Sequence, residues 1–489
     1  MARGTAEVTT RVMVTGRMRR VSRLLVTLAA LLAASSGAAG EPRTVLAAIG
    51  VDDAHLQADF WVAALESPDE VLMPRAAIDA QNADLVARDP SLYDLAALPE
   101  TLSRAQVLAW IERLAEPPAG PLFDAAGEPV PAARLEALVR NRALDAIPAR
   151  QPARFGLVVV RAALRTFPTD LRVFRSPDDH DIDRFQESAL FPGTPVLLAH
   201  ESADGRWWFV VSPRYAAWIE KRHVAEGARR DVLAWREKTP FRIITGAQVE
   251  TVFTPERPAV SRVVLDMGVR VPVLADWPAG EPVNGQHPYT AHVIELPVRG
   301  ADGGLELAPA LLPRIADSAA EYLPLTRANI VRQAFKFLGE RYGWGHSYGG
   351  RDCSGFVSEV YRSMGVLLPR NTSAQSVSPA LDKRLFTPAD SRAERLAAVR
   401  SLDVGHLVYI PGHVMMVVGT VDGEPWVIHD TTGFGHVTPE GRLVRVRLNG
   451  VSITPLMPLA ANETDLYIDR MTSIVRVVPA APKEAPPPL

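Results

Sequence analysis

A single cysteine, Cys353, in 489 residues means that no internal disulfide can staple this chain. The thiol lies in Arg351-Asp352-Cys353-Ser354-Gly355-Phe356-Val357, just after the aromatic, glycine-rich run Tyr342-Gly343-Trp344-Gly345-His346-Ser347-Tyr348-Gly349-Gly350. Phe356, Val357, Val360, Tyr361 and Met364 follow at helical spacing, so the cysteine stands at the mouth of an amphipathic helix with Asp352 as its N-cap. A thiol there feels the positive end of the helix dipole, which favours thiolate. A lone cysteine is otherwise most often a buried structural residue. The glycine-rich approach and the histidines downstream turn the reading toward chemistry.

The N-terminus reads as an export signal over residues 1–39. Arg17, Arg19, Arg20 and Arg23 precede an apolar stretch at 24–34, and small residues lead to a Gly37-x-Ala39 cleavage site. The apolar stretch is too short to span a bilayer comfortably. The expectation is a periplasmic or secreted protein with no stable membrane insertion after cleavage, acting as a monomer. In an oxidising compartment an unpaired thiol is a liability unless it carries chemistry. A formal charge of −3 gives no electrostatic footprint for nucleic acid.

With 47% apolar and 22% charged residues the chain is globular, and 41 prolines suit a modular, loop-rich protein. Residues 40–150 read as a helical supporting segment. Its clearest helix spans 101–114, capped by Thr101 or Ser103, broken by the proline-rich run at 117–121 and followed by a second helix at 132–142. Two β-rich units follow, at 153–229 and 238–323, each patterned as a small half-open barrel with short apolar runs between turn signals. Trp207, Trp208 and Trp218 are expected in the core of the first. The third region, 326–478, places a helix at 328–341 and the cysteine helix ahead of strands at 407–410, 414–418 and 426–428. A polar connection spans 371–398, and the order is that of an α+β domain. The proline-rich tail, 479–489, is expected to be disordered.

A thiolate nucleophile needs a base and a group that orients the base. His413 opens the strand at 414–418, and His429 closes the one at 426–428. A turn near Val421 sets the two histidines roughly opposite each other on one face, a base with its orienter. Each alone reads as a strand-end histidine with a local hydrogen bond. No second cysteine, H-E-x-x-H or close His-x-His pair suggests a metal. His346, His406 and His436 have no spacing that argues for a role.

Tyr342-Gly343-Trp344-Gly345, Arg351-Asp352-Cys353-Ser354 and Leu368-Pro369-Arg370-Asn371-Thr372 resemble the NlpC/p60 family of bacterial cell-wall cysteine peptidases. Pro411-Gly412-His413-Val414-Met415 and Val427-Ile428-His429-Asp430 follow in the family's order. The upstream regions resemble, more weakly, the branch with an N-terminal stabilising domain and two bacterial SH3 domains, through Arg165-Thr166-Phe167-Pro168-Thr169 and Asp204-Gly205-Arg206-Trp207-Trp208. The resemblance implies a papain-like fold with Cys353 as nucleophile, His413 as base and His429 as third polar residue. It also implies Tyr342 near the oxyanion, and Asp352 and Ser354 beside the free amine of the substrate. Two positions depart from the pattern: His346 stands where many members have glycine, and His406 replaces the aspartate of Gly-Asp-Leu.

The resulting expectation is a cofactor-free peptidase acting on peptidoglycan stem peptides at the bond from γ-D-glutamate to a diamino acid, of dipeptidyl-peptidase type. Two rivals stand beside it: a wall-binding scaffold with weak or no activity, and an acyltransferase or amidase using the same thioester chemistry. A barrel side chain closing the cleft beside Cys353 would predict recognition of a free N-terminus. An open groove would predict action on cross-linked wall.

Overall fold

A computed structural model describes residues 49–114 and 120–479. The signal peptide reading, the core of the proline break near 117 and nearly all of the tail lie outside the described residues. From Val51 onward the described residues form one compact unit.

Helices Ala58–Ala63 and Arg75–Arg88 come first. The helix expected at 101–114 is shorter. Thr101–Ser103 is a strand paired with Arg150–Pro152, and the helix runs Arg104–Ile111. Ser103 closes its N-terminus through a reciprocal capping box with Gln106, which settles the choice of cap. Ala132–Asn141 is the second helix.

The first β-rich unit is one seven-stranded antiparallel sheet built from 154–227. Trp207, Trp208 and Trp218 are all buried in it. The second β-rich unit is divided among three small sheets, the longest a hairpin of Ala291–Arg299 with Leu305–Pro313.

In the C-terminal region α1 (Arg327–Phe335) is capped by Thr326, whose side chain accepts from the Asn329 N–H. It ends six residues before the expected 341. Phe337 and Leu338 continue only as i→i+3 turns, and Gly339, at φ +82°, swings the chain out so that its N–H reaches Val451. The cysteine helix, α2 (Cys353–Ser363), follows as expected, with Phe356, Val357, Val360, Tyr361 and Met364 all buried. The connection at 371–398 is more ordered than its polar composition suggests. It folds into α3 (Thr372–Val377), β1 (Asp382–Leu385) and α4 (Arg392–Val399), the last opened by a Ser391–Glu394 capping box.

The sheet behind α2 is completed by β2 (Leu407–Ile410), β3 (His413–Val421), β4 (Glu424–Val437), β5 (Leu443–Pro455) and β6 (Ser473–Arg476). Its order is β1-β6-β2-β3-β4-β5, antiparallel throughout. One core joins α1, α2 and the inner faces of β2 to β5. This packing fixes the mouth of α2 against the start of β3.

Candidate active site

Cys353 is the first residue of α2, and Asp352 is its N-cap, accepting the Gly355 N–H at 2.8 Å. The thiol is 5% exposed, yet it lines a cleft of about 600 Å³ together with Tyr342, Trp344, Asp352, Ser354 and Arg370. Its sulfur lies 3.6 Å from Thr372 Oγ1 and is met by the backbone N–H of Val414. Burial, with help from the Asp352 charge, pushes the thiol up to about 12. The dipole argument is therefore outweighed in the resting state. A neutral thiol needs a base to activate it.

The base candidate is one residue from the sulfur's backbone contact. His413 opens β3, and its Nε2 lies 2.8 Å from His429 Nδ1, whose Nε2 lies 3.1 Å from Thr454 Oγ1. The hairpin turns at Asp422-Gly423, one residue past the expected centre, and a bulge at Val417/Gly419 shifts the register. Met416 pairs with Ile428, so the histidines meet across a diagonal, with ring centroids 5.1 Å apart. If Nε2–H of His413 donates to His429, and Nε2–H of His429 to Thr454, every partner is satisfied and His413 Nδ1 stays bare. Burial lowers His413 to about 4 and His429 well below its ordinary value. Both rings are neutral at pH 7.

The other flank of Cys353 is ionic. Burial pushes the Asp352 carboxyl up, but the Arg370 guanidinium and the Gly355 N–H bring it down to about 2. Arg370 Nη2 and Nη1 lie 2.8 and 3.1 Å from the two carboxylate oxygens, and Nη1 donates to Ser354 Oγ at 2.9 Å. His346 does not line the cleft. It sits behind Arg370 at φ +65°, with Nδ1 2.9 Å from Arg370 Nη2 and Nε2 2.8 Å from Glu359. A guanidinium only donates, so Nδ1 accepts and the ring is held neutral. Gly355 makes room for it, because a Cβ there would meet the ring at 2.6 Å. Glu359 also pairs with Arg351, which reaches Glu340 and Asp266. His406 is far from this network and accepts the Asp403 N–H; His436 keeps a buried Nδ1 without a partner among the described residues.

Tyr342 is buried at the cleft, its phenol pushed far up by burial and by nearby Cys353 and Asp352. Sequence reasoning raised a barrel wall beside Cys353 but named none of its residues. Gln186, Glu187 and Tyr215, from the first β-rich unit, line the same cleft. Glu187 accepts from Thr166 at 2.5 Å and from the Tyr215 hydroxyl. Ser188 accepts from Arg370 Nε at 2.7 Å, and Gln186 donates to the Gly345 carbonyl at 2.7 Å. Gly345, at φ +55°, lets the two segments approach: a Cβ there would meet Gln186 Cγ at 2.9 Å. Among the described residues no group of three or more His, Cys, Asp or Glu is placed to hold a metal.

Residues 339–443 match the NlpC/P60 family, and residues 172–220 match an SH3 domain of the SH3b1 type. The chain carries a C-terminal NlpC/P60 domain. The NlpC/P60 endopeptidase of Photobacterium damselae subsp. piscicida has a similar fold (TM-score 0.67), with 16% identity over 84% of this chain and 95% of that one. An NlpC/P60 family protein from Bacillus cereus aligns at 17% identity over 66% of this chain and all of its own, with a TM-score of 0.43. No curated protein sequence matches the chain. NlpC/P60 members are cysteine peptidases. The cleft described above is lined mostly by residues of the C-terminal region, with Gln186, Glu187 and Tyr215 contributed from within the SH3 match.

Proposed function

We propose that this protein is an exported cysteine peptidase that hydrolyses short peptidoglycan stem peptides at the bond joining γ-D-glutamate to a diamino acid. One observation carries the reading: the N–H of Val414 meets the Cys353 sulfur, while the neighbouring His413 is tied through Nε2 to His429. In this mechanism His413 Nδ1 takes the thiol proton, and the sulfur attacks the γ-glutamyl carbonyl. The Cys353 N–H and the Tyr342 hydroxyl steady the oxyanion. His413 then gives its proton to the leaving amine, and water hydrolyses the thioester with the same histidine as base. His429 and Thr454 hold the imidazole in its productive tautomer.

The SH3 wall favours a short substrate with a free N-terminus. Glu187 makes no ion pair among the described residues, so its carboxylate is available to an ammonium group. Asp352 and Ser354 complete that subsite, with Asp352 already matched by Arg370. The product is then an L-Ala-γ-D-Glu dipeptide.

The proposal takes a signal peptide at 1–39, a helical stabilising segment to 150, SH3-like units at 153–229 and 238–323, and a peptidase domain at 326–478. No helix among the described residues is long and apolar enough to cross a membrane. The test is incubation of the purified protein with L-Ala-γ-D-Glu-meso-diaminopimelate, its N-acetylated form and intact wall. Release of the dipeptide from the free-amine peptide alone supports the reading. Binding without turnover favours a scaffold, and an amide or transfer product favours an acyltransferase.

A further inference from the structure

A further cavity, of about 110 Å³, adjoins the ionic flank: Tyr215 and Arg370 line both it and the Cys353 cleft. Its charged lining is all of one sign. Arg214, Arg236, Arg270, Arg362 and Arg370 contribute, and no aspartate or glutamate does. Arg370 is matched by Asp352. The other four make no ion pair among the described residues. Arg214 comes from the first β-rich unit, Arg270 from the second with Arg236 just ahead of it, and Arg362 from the last turn of α2. Glu359 and Asp266 act on Arg362 from outside the lining, but they are committed to His346, Arg351 and Arg161. Glu237 likewise acts on Arg270 from outside.

Two buried donors of lining residues have no acceptor among the described residues: Trp235 Nε1 and Arg362 Nε. Trp235 is 1% exposed. Gly268, at φ +77°, makes room for Arg362, since a Cβ there would lie 2.5 Å from Nε. Backbone carbonyls take some of the remaining donors: Arg362 donates to Met267 at 2.5 Å, Arg270 to Lys238 at 2.6 Å and Arg214 to Leu368 at 3.3 Å. A carbonyl accepts a hydrogen bond but cancels no charge. Burial, then the Arg362 and Arg370 guanidiniums, lower Arg214 to about 9. The cluster repels itself.

Unpaired donors and unbalanced positive charge in one cavity match an anion that accepts from several guanidiniums at once. A tetrahedral oxyanion does so, because each guanidinium fork can engage two of its oxygens. The space suffices, since a water needs only about 10–15 Å³ of it. We propose that this cavity is a binding site for a phosphate or sulfate group, held by Arg214, Arg236, Arg270 and Arg362 together with Trp235. These residues span the SH3 region, the second β-rich unit and the cysteine helix, so the bound anion ties the far wall of the cleft to α2. Leu92, Phe191 and Leu367 give the cavity an apolar side, against which the organic part of an ester packs.

The test titrates inorganic phosphate into the full chain by calorimetry, with ionic strength held constant by chloride. One saturable site per chain is expected, and phosphate raises the urea midpoint because only the folded chain assembles the cluster. Arg362→Met weakens binding by about tenfold or more. Arg236 is exposed, so Arg236→Glu spares the fold even where Arg362→Met does not, and it weakens binding by a similar factor. Arg134→Glu, the same charge change on the helix Ala132–Asn141, leaves binding at the parent value. Phenyl phosphate as a second titrant distinguishes the sources: tighter binding than the ion assigns the site to an ester, and equal or weaker binding assigns it to free phosphate. No saturation by about 10 mM of either titrant, parent-like binding in Arg236→Glu, or an equal loss in Arg134→Glu overturns the proposal.

Discussion

On the SH3 side of Cys353, Asp352, Arg370, His346, Glu359 and Arg351 are buried and each is paired. On the sheet side, His413 and His429 have, among the described residues, only each other and Thr454. The first flank holds its charges with partners from three parts of the chain, since the Asp266 carboxylate comes from the second β-rich unit and the Ser188 hydroxyl from the first. The second flank holds its titratable groups neutral by burial. A paired network resists change, whereas a neutral imidazole with one bare nitrogen can accept a proton when substrate arrives. The rigid flank suits recognition and the neutral flank suits proton transfer.

The sharpest way to break this contrast is to remove its shared centre. Cys353→Ser and His413→Gln should each lower turnover of the tripeptide by about 10⁴-fold or more, with an unchanged circular dichroism spectrum. Turnover near parent level in either would place the chemistry elsewhere. Next in size is Arg370→Met, which strands the buried Asp352 carboxylate and should cost about 3–5 kcal/mol in urea unfolding. Adding Asp352→Asn should recover part of that loss. A stability loss under 1 kcal/mol, on the order of a surface pair, would mean the ionic flank is ornamental.

The neutral flank has a pH signature. His413 is lowered to about 4 in the folded chain from an ordinary value near 6.5. Below 6.5 the unfolded chain therefore takes up a proton that the folded one refuses. This contribution to stability is intact above 6.5 and is lost as pH falls toward 4. Relative to His413→Gln, the parent should lose up to about 3 kcal/mol between pH 7 and pH 4. A pH-independent difference in denaturant midpoints would contradict a neutral His413. Smallest is Thr454→Val, which removes only the far end of the histidine pair. It should reduce kcat by about tenfold with KM little changed, the mark of a positioning residue.

Much of the neutral flank was legible because it is local. The helix at Cys353 shows in its apolar spacing, and the hairpin carrying His413 and His429 shows in two short β runs around Asp422-Gly423. β5 also carried a signal, Val444 and Val446 alternating with Arg445 and Arg447, which would have extended the sheet past 428. The ionic flank was legible only in fragments. His346 stood out as a departure, but nothing local connects it to Arg370 and Glu359. The pairing of Glu187 and Tyr215 with Cys353 spans well over a hundred residues and leaves no periodic trace. The early end of α1 depended on a tertiary bond from Gly339 to Val451 that no cap announced.

The groove around Cys353 exists only where two distant stretches of one polypeptide meet. A peptidase domain starting at residue 326 would keep the sulfur and both imidazoles, yet lack the far wall contributed by Gln186, Glu187 and Tyr215. Such a fragment would have no means of telling the beginning of a peptide from its middle. On the proposed function, docking of the upstream module is thus what would separate a trimmer of loose fragments from a cutter of the fabric itself.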